Sequence, residues 1–191
     1  SGTIRAVDVI NSNAATGNSA FRLSNTMTVT GGIRFSVPHA TAGTAWSVDL
    51  PSNRTLTMTN ASILVTSGVG NSTVSFNRPS GSTGSLRMAS GSSLTVIQNN
   101  TASNLVFNAP VTQVAGAGST LAKTGAGRLV LAGGNDFSGS LSIRQGSVQI
   151  GNGGNVGSIS AAATVPNDGN LSFNRTDSIT FGNTISGSGS V

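Results

Sequence analysis

Short runs of alternating apolar and polar residues, each stopped by Gly, Asn or Pro, recur along the whole chain. They fall at residues 26–30, 33–37, 45–50, 55–58, 62–66, 73–76, 86–89 and 93–97, then at 105–107, 128–131, 141–144, 147–150, 171–173 and 178–181. A period of two over three to six residues, bounded by turn formers, is the pattern of a half-buried strand. No stretch shows helical periodicity with a matching pair of caps, so the chain is predicted to be all-β with essentially no helix. Strand starts typically seven to twelve residues apart fit a sandwich, a barrel or a solenoid equally well.

Internal repetition and composition separate these three. Asn104-Leu105-Val106-Phe107-Asn108 returns as Asn170-Leu171-Ser172-Phe173-Asn174, 66 residues later, and Thr73-Val74-Ser75-Phe76-Asn77 is a third version. Imperfect returns of one short strand suit a solenoid that stacks similar coils. A sandwich core asks for more large aromatics than the 4% present here. Gly, Ser, Thr and Asn make up 97 of 191 residues. A parallel β-helix uses such residues on its wetted faces and corners, and keeps Val, Ile, Leu and an occasional Phe for a narrow interior. The expected fold is a parallel β-helix. At roughly 20 to 25 residues per coil it would make about eight coils in a rod near 40 Å long. Residues 1–191 are expected to form one β-helix segment, with irregular coils over 1–120 and repeat-like coils over 121–191.

Several classes are excluded. Disorder favours high net charge and few β-branched residues, whereas only 8% of this chain is charged and 36% is hydrophobic. No run approaches the ~18 apolar residues of a membrane-spanning helix. There is no Cys, hence no disulfide framework, zinc ribbon or thiol nucleophile. Ser1-Gly2-Thr3-Ile4 has neither the basic nor the apolar region of a secretory leader, which suggests a mature or trimmed piece. The net charge of +5 comes from nine dispersed Arg and one Lys against five Asp. Without a basic run or interleaved aromatics, no specific nucleic-acid binding is expected.

Residues 121–151 carry a more specific pattern. Lys123, Gly125, Gly127, Leu129 and Leu131 form K-x-G-x-G-x-L-x-L. Asn135, Phe137 and Gly139 follow in a G-x-N-x-F-x-G-like segment, and Leu141, Ile143, Gly146, Val148, Ile150 and Gly151 complete a third element. This stretch resembles the autotransporter-associated β-strand repeat of bacterial autotransporter passenger domains, and residues 152–191 resemble the spacer between two such repeats. Residues 1–120 share only composition and strand rhythm with it. The resemblance implies a right-handed parallel β-helix displayed at, or released from, a Gram-negative cell surface. It also implies a repeat tied to passenger folding during secretion, with no catalytic residue. The chain stops where another K-x-G-x-G would begin, which leads us to expect a piece of a longer protein or a subunit that stacks end to end.

Candidate chemistry is sparse. His39 is the one histidine, and with 30 serines available no particular Ser-His-Asp set stands out. The acids are Asp8, Asp49, Asp136, Asp168 and Asp177. Turn capping suits Asp49, Asp168 and Asp177, while stacking of Asp136 with Asp168 would supply the paired carboxylates of a glycan-cleaving β-helix. Gly151-Asn152-Gly153-Gly154-Asn155-Val156-Gly157 has the glycines of a calcium nonapeptide without its Asp. The T-x-T-x-T runs at Thr26-Thr28-Thr30 and Thr55-Thr57-Thr59 would form an outward threonine ladder suited to ice if they continued. Trp46 is read as core or end cap. No catalytic, cofactor or metal residue is assigned and no enzyme activity is expected. The expected role is a rod-like scaffold, adhesion or self-association element outside the cell or at the outer-membrane surface. Its partners are copies of itself or of the same solenoid, or a host or matrix glycan or protein; the alternative is a glycan-binding or glycan-cleaving β-helix.

Overall fold

The computed structural model describes residues 2–9, 19–38, 45–116 and 118–191. Among these the chain forms a parallel β-solenoid in which successive coils place one short strand on each of three faces. The first face is a seven-stranded sheet: β2 (Ser19–Arg22), β4 (Ala45–Asp49), β7 (Thr73–Asn77), β10 (Leu105–Phe107), β13 (Arg128–Leu131), β15 (Ser147–Gly154) and β17 (Asn170–Arg175). The second face runs from the start of β3 (Met27–Phe35) through β5 (Thr55–Met58) and β8 (Ser85–Met88) to β11 (Val111–Gln113). The third runs from the end of β3 through β6 (Ala61–Val65), β9 (Ser93–Gln98) and β12 (Thr120–Thr124) to β14 (Leu141–Ile143). A further strand, β1 (Gly2–Val9), pairs with β3, and the short strands β16 (Val165–Pro166) and β18 (Ile185–Ser186) pair with each other. Every one of these pairings is parallel. The only helical element among the described residues is a single 3-10 turn, Ser67–Val69.

The predicted fold class therefore holds, with fewer turns than the expected eight. Along the first face the register runs Ser19, Trp46, Val74, Leu105, Leu129, Val148, Leu171, so coils advance by 27, 28, 31, 24, 19 and 23 residues. Six steps of ~4.8 Å make about 29 Å rather than 40. The early coils use more residues because their corners carry loops, such as 78–84 and 99–104, that add length without adding a rung.

Alternation places the core. On β6 and β9 the residues Ala61, Ile63, Val65, Leu94 and Val96 are buried, while Ser62, Leu64, Thr95 and Ile97 between them are partly exposed. A file of large side chains runs up the inside of the first face: Val48, Phe76, Phe107, Leu131 and Ile150 are in register on successive coils. Phe76 meets Phe107 edge to face at 5.1 Å and Phe35 at 6.2 Å. That geometry adds about 0.5–1.5 kcal/mol per pair beyond area burial. The 66-residue return of the Leu-x-Phe unit is the length of three coils: 105–107 and 171–173 lie in one file of the same face.

Two sequence punctuation marks behave differently from expectation. Gly31-Gly32 does not end a strand. It lies within β3, which crosses from the second face to the third at that point. A Cβ on Gly31 would sit 1.8 Å from the Arg5 carbonyl oxygen, so only glycine lets β1 lie against the bend. Residues 178–181 read as a strand but have no ladder partner. Phe181 instead packs on Phe173, with ring centroids 4.9 Å apart.

Candidate functional site

The K-x-G-x-G motif builds the corner between β12 and β13. Gly125 has φ +79°, and a Cβ there would lie 2.5 Å from Asn99 Oδ1 and 2.6 Å from the Gln98 carbonyl oxygen. A Cβ on Gly127 would lie 2.1 Å from the Asn100 carbonyl oxygen, while the Gly127 N–H donates to Gln98 O at 2.7 Å. Both glycines are thus required for this corner to lie flat on the preceding coil.

Lys123 occupies an inward position, in register with Ile33, Ile63, Val96 and Ile143 on the third face. It is fully buried. Its Nζ turns toward the corner and donates to Thr124 O at 2.8 Å, Gly125 O at 2.7 Å and Gln145 O at 3.2 Å. Gln145 belongs to the next coil, so one ammonium ties two corners together. Burial pushes the Lys123 pKa down to about 8, because a charge in the interior loses its hydration. The three carbonyls match its three donors and hold the charged form against that loss.

Asn135 plays the neutral counterpart. It is buried; its Oδ1 accepts the Val111 N–H at 2.8 Å and its Nδ2 donates to Gly133 O and Ser158 O at 2.9 and 2.7 Å. These contacts reach the coils before and after its own. Further on, Arg175 makes a bidentate pair with Asp177, at 2.9 and 2.7 Å, and also donates to Gly157 O and Asn155 O. The Arg175 guanidinium holds the Asp177 carboxyl below the usual carboxylate range. Lys123, Asn135 and Arg175 are each accounted for by satisfying backbone groups at corners.

The sequence candidates are scattered. His39 lies outside the described residues. Asp136 sits beside β11, with its Oδ1 accepting the Gln113 N–H at 3.1 Å. Asp168 follows the third face, with its Oδ1 accepting from Ser188 N and Ser188 Oγ. The two carboxylates serve different corners and are not brought together as a pair. Asp49 accepts from Asn77 Nδ2, and Asp8 from Ser36 Oγ. Among the described residues no three His, Asp or Glu cluster as metal ligands. No helix there is long and apolar enough to cross a membrane, which says nothing of β-barrels. The 29-residue lag between the threonine runs is one coil, so Thr28 stacks on Thr57; the next rung is Arg87 and the ladder breaks. Trp46 is buried in the core. Exposed Arg34, Arg87 and Arg128 lie on three different faces, so their charge forms no stripe.

A motif whose buried polar residues join coil to coil can be compared with known repeats. Residues 121–150 match the family model described as Passenger-associated-transport-repeat. This passenger repeat covers Lys123, the corner glycines, Asn135, the strands β13 and β14, and parts of β12 and β15. The chain is also 46% identical over 71 residues to the Adhesin BmaC autotransporter of Brucella suis biovar 1 (strain 1330). That alignment takes in 37% of this chain and 2% of the adhesin. The chain thus spans a small part of the curated relative it matches. No solved structure matches it. The autotransporter passenger resemblance seen in the sequence is therefore shown, and its repeat sits within a β-solenoid.

Sequence reasoning identified the passenger repeat without the role of its lysine. A lone Lys in a chain so poor in charge is a usable signal, since an exposed strand position would tolerate Ser or Thr. A polar concavity beside the same corner, lined by Thr101, Asn104, Arg128 and Ser147, had no sequence signal. Its residues come from three different coils.

Proposed function

We propose that this chain is a rod-like display segment of an autotransporter-type surface adhesin, and that it works as a scaffold rather than as an enzyme. The observation that carries this reading is the passenger repeat, whose buried polar residues Lys123 and Asn135 hold coil to coil. Similarity to a curated adhesin passenger supports a location at, or released from, a Gram-negative surface. The dispersal of Asp136 and Asp168 removes the support for glycan cleavage by paired carboxylates.

Phe173, Ile179 and Ile185 are exposed apolar side chains on the coil that contains β17 and β18. Exposed apolar groups beside an open strand edge favour further β-pairing. The partner we infer for that coil is another solenoid coil, supplied by a longer passenger or by a second copy. Light scattering across a concentration series tests the second source: head-to-tail growth is expected to raise the mean mass steadily, and a monomer at every concentration refutes it. Display itself is tested by placing this segment in a passenger expressed in a Gram-negative host. External protease should remove it from intact cells, with increased attachment of those cells to matrix-coated surfaces. Retention inside the envelope, or attachment unchanged by its deletion, refutes the scaffold reading.

A further inference from the structure

The corner that carries Ala126 and Gly127 forms the floor of a concavity of about 320 Å³ walled by Thr101, Asn104, Arg128 and Ser147. Arg128 and Ser147 are register partners on adjacent strands of the first face. Thr101 and Asn104 come from the loop of the preceding coil, which enters β10. Gly127 lies flat on the preceding coil, where the Asn100 carbonyl and the Gln98 side chain leave no room for a Cβ. The volume lies at the small end of the range for ligand pockets, room for one sugar-sized group.

The chemistry of the lining is one-sided. Arg128 is exposed, and its guanidinium has no ion pair or hydrogen bond among the described residues. Thr101, Asn104 and Ser147 likewise commit no side-chain donor elsewhere. Arg144, also exposed, lies on the same edge of the next coil, between β14 and β15. The acid on that edge, Asp168, is a further coil away, and Ser188 already occupies one of its oxygens. A planar guanidinium with uncommitted hydroxyls and an amide beside it suits a carboxylate or sulfate, which it can hold through two parallel hydrogen bonds. A net charge of +5 on the chain favours approach of polyanions.

We propose that this concavity is a binding subsite for an acidic sugar unit, with Arg128 holding its carboxylate or sulfate and Thr101, Asn104 and Ser147 holding its hydroxyls. The site goes beyond the scaffold role: a rod whose corner binds nothing still displays, so the two readings fail separately. The test is calorimetric titration with a glucuronate-containing hexasaccharide, its carboxyl-reduced form and inorganic sulfate. Arg128→Gln is compared with Arg87→Gln, an exposed arginine on another face, and circular dichroism checks that both variants fold. The acidic hexasaccharide is expected to bind at least tenfold more tightly than the reduced form and than sulfate. Arg128→Gln should weaken it at least tenfold and Arg87→Gln less than twofold. Equal binding of the reduced sugar, equal loss in both variants, or no binding at millimolar concentrations overturns the subsite. Sulfate binding as tightly as the hexasaccharide would mark an adventitious ion only, and overturns it too.

Discussion

Replacing Lys123 with Met keeps the stem that fills the interior and removes the ammonium. The Gly125 carbonyl is then left unpaired in a buried place, which costs about 1–3 kcal/mol. The hydrogen bonds to Thr124 and Gln145 are only partly buried, so water can replace them at about 0.5–1.5 kcal/mol each. Removing a desolvated charge offsets part of that sum, and a net loss of about 2 kcal/mol at pH 7 is expected. The pH dependence separates the two contributions. The folded pKa of about 8 lies below the 10.5 of an ordinary lysine, so between these values the unfolded chain holds a proton that the folded one has released. Stability must rise with pH across that window, by at most ~3 kcal/mol, and be flat in this respect below about 8. Urea denaturation at pH 7, 8.5 and 10, followed by circular dichroism, reads both effects. Wild type should gain stability with pH, while Lys123→Met starts lower and lacks the gain. A variant as stable as wild type at pH 7 refutes the anchoring role, and a wild type whose stability falls from pH 8 to 10 refutes the desolvation argument.

Phe107→Ala empties the middle of the aromatic file and should cost about 3–5 kcal/mol, whereas Phe107→Leu should cost less than about 1.5; urea midpoints distinguish them. Gly125→Ala and Gly153→Ala share a positive φ, but only the first drives a Cβ into neighbouring atoms. Thermal melts should show a loss of about 1–2 kcal/mol at 153, from backbone strain alone, and a larger one at 125. Arg175→Ala frees the carbonyls of Asn155 and Gly157, so limited proteolysis is expected to cut within 152–158 several times faster than in wild type. Asp177→Asn leaves those two contacts in place and should change the cleavage rate little.

Much of the fold was legible because each rung carries its own alternation. Residues 62–66, 93–97 and 147–150 could be read as strands locally, and the Leu-x-Phe returns pointed to a common file. Gly31-Gly32 misled because a glycine pair stops a strand in a hairpin but bends one at a solenoid edge, and the difference lies in Arg5, a coil away. The strands β11 and β12 were missed because neither alternates: Val111 is followed by two partly exposed residues, and Leu121, Ala122 and Lys123 are buried in succession. Lys123 was legible as a motif letter only. Its burial depends on Gln145 and on the stacked third face, neither of which a local pattern encodes. The corner concavity was invisible for the same reason: Asn104 and Ser147 are 43 positions apart in sequence and line one concavity only through stacking.

The coil lengths, which vary from 19 to 31 residues over an unbroken register, give this rod a particular freedom. Doubling a flexible loop costs only about 0.6 kcal/mol of closure entropy, and in a solenoid that cost stays between neighbouring rungs. Corners can therefore lengthen, shorten or exchange their outer residues while Val74, Leu105 and Leu129 remain stacked. A solenoid built this way can change what its corners present, or graft a new contact, without having to re-solve its folding problem.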